Sequence, residues 1–128
     1  MMEKGVMKVL ITDDSAIVRK RLIAMLSKIM KAEDISYAED APGAINSIHR
    51  LNPDAVILDM RMPGGNGIGV LLEMKRNIQT LPVIVVADYP YRQYHRKYVD
   101  AGADFFFDKS TEFDQVMAVL ERLSKNRC

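Results

Sequence analysis

The sequence predicts an α/β domain in which parallel strands are joined by crossover helices. Three observations carry that prediction. Short apolar runs rich in Val and Ile alternate with segments of helical period, and turn-forming residues bound each run. Polar, chemistry-bearing residues fall repeatedly at the ends of those runs. The 128 residues, 48% of them hydrophobic, suffice for one core, so 1–128 is expected to form a single unit with no room for a second folded domain.

Five strand–helix units can be placed. Lys8 to Thr12 is a short β-branched strand, followed by Asp13, Asp14 and Ser15, where Ser15 or Asp14 can cap the next helix. That helix is expected from Ala16 to Met30, with Val18, Leu22, Met25, Leu26 and Ile29 on one face. Ile35 to Ala38 is the second strand. Pro42 suits the first turn of a second helix, which runs through Ile45 and Ile48 to Leu51 and is ended by Asn52 and Pro53.

Ala55 to Leu58 is almost wholly apolar, as expected at the centre of a parallel sheet covered on both faces, and it leads into Asp59. The loop Met60 to Gly67 is dense in Pro and Gly, and Leu71, Leu72 and Met74 or Lys75 carry a third helix to about Ile78. Pro82 introduces a strand from Val83 to Val86, which stops at Ala87 and Asp88. Tyr91 to Ala101 is an aromatic and basic helix closed by Gly102 at the position that favours glycine. Phe105 to Phe107 is the fifth strand, leading to Asp108 and Lys109. Phe113 to Ser124 is the last helix, with Val116, Val119, Leu120 and Leu123 inward. Met60, Met62 and Phe105 to Phe107 are expected in the core.

Lys and Arg number 18 against 17 for Asp and Glu, a net charge of +1, so no global field draws the chain to nucleic acid or to an anionic membrane. Partner choice must come from a local surface. The one cysteine, Cys128, is the last residue and forms no internal disulfide, which suits a reducing compartment. Met1 to Met7 carries Glu3 and Lys4 and lacks the apolar stretch of a secretion signal, and no apolar run approaches the roughly 18 residues of a membrane span. A soluble protein of the cytoplasm is expected.

In an open parallel sheet, ligands bind beyond the carboxyl ends of the strands. Asp13 and Asp14 end the first strand, Asp59 the third, Ala87 and Asp88 the fourth, and Lys109 the fifth. If the central strands are neighbours, three carboxylates and one ammonium share a pocket. Clustered carboxylates repel, and a hard divalent ion relieves them; Mg²⁺ fits best because it takes one or two carboxylates, keeps waters and accepts phosphate oxygens. A carboxylate of Asp59 beside Mg²⁺ and Lys109 is placed for in-line attack on phosphorus. Singly, the Asp13–Asp14 pair reads as a helix cap and Lys109 as a solvated lysine. An Asp ending a buried strand is harder to explain without partners, because burying an unpaired carboxylate is costly.

The motifs VLITDDS, VILDMRMPGGNG, LPVIVVAD and GADFFFDKS, in this order and spacing, resemble the receiver domain of bacterial response regulators over nearly the whole chain. The resemblance implies a flavodoxin-like (βα)5 fold, a doubly wound five-stranded parallel sheet of order 2-1-3-4-5, and a stand-alone receiver. It implies an aspartyl phosphate at Asp59, Mg²⁺ held by Asp14, by Asp13 through water, by Asp59 and by the backbone carbonyl of Arg61, and Lys109 on the phosphoryl oxygens. The phosphoryl donor it implies is a phosphohistidine on a sensor histidine kinase or a histidine phosphotransfer protein.

One departure stands out. Where receivers end the fourth strand in Thr or Ser, this chain has Ala87. A hydrogen bond to a charged group contributes roughly 1.5–3 kcal/mol, while driving a two-state equilibrium from 1:99 to 99:1 takes about 5.5. Phosphorylation chemistry is therefore expected to survive better than the conformational response. The aromatic switch position corresponds to Phe106. Asp108 is expected to face solvent rather than pair with Lys109, because successive strand side chains point to opposite faces. Arg61 and Tyr89, two residues beyond Asp59 and Ala87, are expected to tune the lifetime of the aspartyl phosphate.

Output is expected through protein contacts, with the Tyr91–Tyr98 helix and the fifth-strand face as the interface, since Tyr and Arg tend to dominate binding energy. A solvated basic helix is the plainer reading of that segment. Two other functions compete: a phosphate-independent adaptor with the receiver fold, which Ala87 favours, and a phosphohydrolase, whose usual second carboxylate two residues after the nucleophile is here Arg61. The chain is not expected to be a conventional enzyme beyond its own phosphorylation and dephosphorylation at Asp59.

Overall fold

The β-branched runs fold as one parallel sheet, seen in a computed structural model that describes residues 7–62, 65–88 and 92–125. The strands are β1 (Val9–Thr12), β2 (Ile35–Ala38), β3 (Ala55–Asp59), β4 (Val83–Ala87) and β5 (Phe105–Asp108). They lie in the order β2-β1-β3-β4-β5, so the chain reverses direction beside β1 and leaves a crevice between β1 and β3. The register aligns Thr12 with Leu58, Asp59 with Val86 and Ala87 with Asp108, which brings the strand ends level. This is the flavodoxin-like arrangement expected.

Alternation along the strands divides the apolar residues between two layers. Leu10, Val56, Leu58, Val83, Val85 and Ala87 face helices α2 (Ala41–Leu51), α3 (Gly67–Asn77) and α4 (Arg92–Asp100). Val9, Ile11, Ala55, Ile57, Ile84 and Val86 face α1 (Ala16–Leu26) and α5 (Phe113–Lys125). All residues of β1, β3 and β4 are buried, as a strand covered on both faces requires.

Helix boundaries follow local chemistry. Ser15 caps α1 by accepting the Val18 N–H (3.3 Å), and Asp40 caps α2 by accepting that of Gly43 (2.7 Å). Helix α1 stops four residues short of the expected Met30: the Ser27 hydroxyl donates to the Ile23 carbonyl, and the Lys28 and Ile29 N–H groups turn to Met25 and Leu26. Of its expected inner face, Leu22 and Leu26 are buried, and Val18, Met25 and Ile29 are partly so. Helix α3 begins already at Gly67, preceded by a two-residue antiparallel ladder that pairs Arg61 with Asn66 and Met62 with Gly65. Leu72, on that helix, is exposed.

Helix α2 ends on Asn52 in the left-handed region, φ 48°. Helix α4 ends in a paired turn, with Gly102 at φ 114°, its N–H on the Val99 carbonyl and the Ala103 N–H on that of Tyr98. One expectation for α4 is corrected. Tyr98, read as part of an exposed surface, is 3% exposed and belongs to the core. The expectations for Tyr89, Tyr91, Cys128 and the segment before Met7 lie outside the described residues. No helix among those described is long and apolar enough to cross a membrane.

Candidate functional site: an acidic pocket at the strand ends

Strands β1, β3 and β5 deliver their polar residues to one place. Thr12 ends β1 with its hydroxyl on the Ile57 carbonyl (3.0 Å), fixing the β1 end against β3. The next residue, Asp13, is 1% exposed; Asp59 is 4% exposed and Lys109 9%, while Asp14 is open to solvent. Oxygens of Asp13, Asp14 and Asp59 all lie within 4.8 Å of one another. The four residues expected to share a pocket are thus brought together.

Each buried group has a defined set of contacts. Asp13 Oδ1 accepts the Ser15 N–H (2.9 Å), and the Asp13 N–H donates to the Ala38 carbonyl (3.1 Å). Asp59 Oδ1 accepts the Arg61 N–H (3.1 Å), so the residue two places beyond the acid is held by its backbone beside it. Lys109 Nζ donates to Asp59 Oδ2 (3.1 Å) and lies 2.8 Å from Asp13 Oδ2, bridging the two acids. The Lys109 N–H in turn binds the Ala87 carbonyl (2.9 Å), which ties β5 to the end of β4.

Burial pushes the Asp59 carboxyl up from 3.8 to about 6, the charge of Asp13 adds to this, and Lys109 with the Arg61 N–H opposes it. For Lys109, burial alone acts downward, but contact with Asp13 and the charges of Asp59 and Asp13 outweigh it, and the ammonium is held above its ordinary value. One lysine therefore does not neutralise the two buried acids. Asp13 Oδ2, although within ion-pair distance of Lys109, accepts no hydrogen bond. A buried carboxylate oxygen that shares its lysine with Asp59 and lies close to two further carboxylates suits a hard oxygen-seeking cation.

The residues expected to answer the pocket lie on the other sheet face. Ala87 is buried and puts a methyl group where a hydroxyl would stand. It shares its apolar cluster with Met60, Tyr98 and the half-buried Phe106. The Phe106 ring meets His95 edge-on (5.0 Å) and Tyr98 at a tilt (5.7 Å). Asp108 does not pair with Lys109; its carboxylate accepts the Ser110 N–H (2.7 Å) in the turn to α5.

Two contributors were not read from the sequence. Arg19 donates to the Asp13 carbonyl (3.1 Å), pairs with Glu39 (3.1 Å) and covers the Tyr37 ring (4.9 Å), bracing the acid from α1. Tyr98 donates its hydroxyl to the Met60 carbonyl (3.1 Å), 38 residues away. Spacing gave a usable sign only for Tyr98: with Tyr94 and Ala101 it recurs at i, i+4 and i+7, the period of an inward helix face.

A doubly wound α/β domain with clustered acids and one lysine beyond its strand ends is the class these observations define. The response regulator receiver domain model matches residues 9–121. The chain belongs to that family, the phosphoacceptor domain of two-component signalling, and membership does not favour the phosphate-independent adaptor. It is 36% identical over 109 residues to a protein-glutamate methylesterase/protein-glutamine glutaminase from Myxococcus xanthus, covering 85% of this chain and 31% of that protein. The chain therefore spans about a third of the length of that relative. The receiver domain of NtrX from Brucella abortus has a similar structure, with 26% identity and a TM-score of 0.82 over 92% of this chain and 98% of that one. A signal receiver domain from Vibrio parahaemolyticus shares the fold at a TM-score of 0.83 and 23% identity, over 95% of this chain and 92% of that one.

Proposed function

We propose that this chain is a receiver domain that accepts a phosphoryl group on Asp59 from a phosphohistidine of a sensor histidine kinase or a histidine phosphotransfer protein in the cytoplasm. The observation that carries this reading is the lysine-bridged cluster of Asp13, Asp14 and Asp59, in which one buried ammonium is shared by Asp13 Oδ2 and Asp59 Oδ2. Asp13, Asp14, Asp59 and the Arg61 carbonyl would hold Mg²⁺. Bound there, the ion supplies positive charge to the crowded acids and to the phosphoryl oxygens.

In the transfer, an Asp59 carboxylate oxygen forms a bond to phosphorus as the phosphorus–nitrogen bond to imidazole breaks, and the imidazole keeps that electron pair. Asp59 must be ionised to attack, so its raised pKa makes the reaction fall off with acidity. Lys109, already on Asp59 Oδ2, is placed to follow the charge onto the transferred oxygens. Hydrolysis of the acyl phosphate by water returns the carboxylate and inorganic phosphate. Arg61, exposed beside Asp59, and Tyr89 set how easily that water approaches. Output passes to a downstream protein through the face of α4 and β5, with Phe106 as the aromatic that changes packing. With Ala87 in place of a hydroxyl, phosphate gains no direct tie to the end of β4.

Incubation with acetyl phosphate and Mg²⁺ tests the reading. Intact mass should rise by one phosphoryl group in wild type and stay unchanged in Asp59→Asn or in chelator. Uptake in Asp59→Asn, or none in wild type with any phosphodonor, overturns it.

A further inference from the structure

Among the described side chains of helix α4 one lies in the core, and it ends in a hydroxyl. Tyr98 is 3% exposed, yet its Oη is bonded: it donates to the carbonyl of Met60, the residue directly after Asp59. The same carbonyl accepts the Gly67 N–H (3.2 Å), which begins α3. The fit is close. A Cβ added at Gly67 would lie 2.5 Å from Tyr98 Oη and 2.6 Å from the Met60 oxygen, so only glycine lets the phenol reach its acceptor.

The phenol is also electrically in touch with the pocket. Burial pushes its pKa up to about 12, with the charge of Asp59 adding to the effect. On its other side the ring packs against Phe106, which packs against His95 of α4. The chain of contacts thus runs from Asp59 through the Met60 carbonyl to Tyr98, Phe106 and α4. Ala87 lies in the same cluster and offers no polar atom from its side chain.

We infer that Tyr98 is a positioning residue that holds the Asp59–Arg61 segment through the Met60 carbonyl and transmits its displacement to α4, the link that Ala87 cannot make. The inference rests on Asp59 being the phosphoryl acceptor. The Met60 carbonyl keeps the Gly67 N–H as a second partner, so the phenol hydroxyl can release it without stranding a buried acceptor. One such bond weighs about 1 kcal/mol, enough to change the ratio of two α4 states about fivefold.

The test follows backbone amide shifts on adding Mg²⁺ and beryllofluoride to wild type and to Tyr98→Phe, which keeps the ring and removes only the oxygen. In wild type, the amides of Asp13, Asp59 and Met60 and those of 96–103 should all move. In Tyr98→Phe the first group should still move, while the response of 96–103 falls about fivefold. Adding Ala87→Ser to Tyr98→Phe should recover part of it, which a tyrosine that only fills space would not permit. An undiminished α4 response in Tyr98→Phe, or no recovery with the serine, overturns the inference. Silence at Asp13 and Asp59 in wild type overturns the assignment of Asp59 beneath it. Should Tyr98→Phe lose its fold, Gly67→Ala breaks the same contact from the α3 side and is read the same way.

Discussion

The ends of β1, β3 and β5 and the end of β4 are parts of one edge of one sheet, yet they are built on different physics. The first three carry Asp13, Asp59 and Lys109, whose positions are set by charge: each is buried, and removal of Lys109 takes the ion-pair partner from both acids. The fourth carries Ala87 in an apolar cluster with Tyr98, Met60 and Phe106, where packing sets the positions and a phenol donates to a backbone carbonyl. A charged pocket tolerates little change, because an isolated buried charge is expensive. A packed cluster can exchange one way of linking its parts for another. The comparison teaches that, on the proposed reading, phosphate chemistry and the answer to it rest on separable parts of this chain.

The most severe way to break the comparison is Asp59→Asn, which should abolish phosphoryl uptake from acetyl phosphate, measured by intact mass, without disturbing the β4–α4 cluster. Next is Lys109→Ala. Loss of a preorganised positive group at developing charge lowers phosphorylation about 10²–10³-fold, read as the initial rate of uptake at saturating Mg²⁺. A rate within tenfold of wild type would show that Lys109 serves only to pair the acids.

The electrostatic side can be sharpened by pH. In cation-free buffer the folded chain keeps a proton on Asp59 up to about 6, while the unfolded chain loses it near 3.8. The stability tied to that proton is fully present below pH 3.8 and is lost as pH rises through 6. Asp59→Asn lacks this loss. It should match wild type in acid and exceed it above pH 6 by at most about 3 kcal/mol, from 1.4 kcal/mol per pKa unit, in urea denaturation. Mg²⁺ should close the gap. A gap independent of pH would dissociate the charge of Asp59 from the stability of the fold.

The packing side gives smaller effects. Ala87→Thr restores a hydroxyl at the end of β4 and should strengthen the α4 response to beryllofluoride by about 1.5 kcal/mol, roughly tenfold in population, while uptake at Asp59 changes little. Smallest of all is Ser15→Ala, which removes the α1 cap and should cost about 1 kcal/mol of stability in urea without altering either function.

Much of this was legible from local pattern. Strand ends were read to within a residue because β-branched runs, Pro82 and Asp59 bound them sharply, and Asp13, Asp14, Asp59 and Lys109 could be placed together once parallel order was assumed. Helix α1 was read too long because Ile29 and Met30 continue the apolar period, while the break depends on where the Ser27 hydroxyl points. Tyr98 was misread because its partner is remote in sequence, and a tyrosine among Arg, His and Lys looks like surface. Arg19 escaped for the same reason, its acceptors being a backbone carbonyl and Glu39.

Lys75 gives this edge a mechanical asymmetry. Its ammonium, on α3, binds the Leu81 carbonyl (2.6 Å) and Asp104 (2.8 Å), and Asp104 also accepts the Val83 N–H (2.8 Å). The turns entering β4 and β5 are thereby riveted to each other at the end of α4 remote from the acids. Any swing of α4 must pivot there, so motion grows toward Arg92 and amide exchange at Val83 stays slow while that at 94–96 quickens.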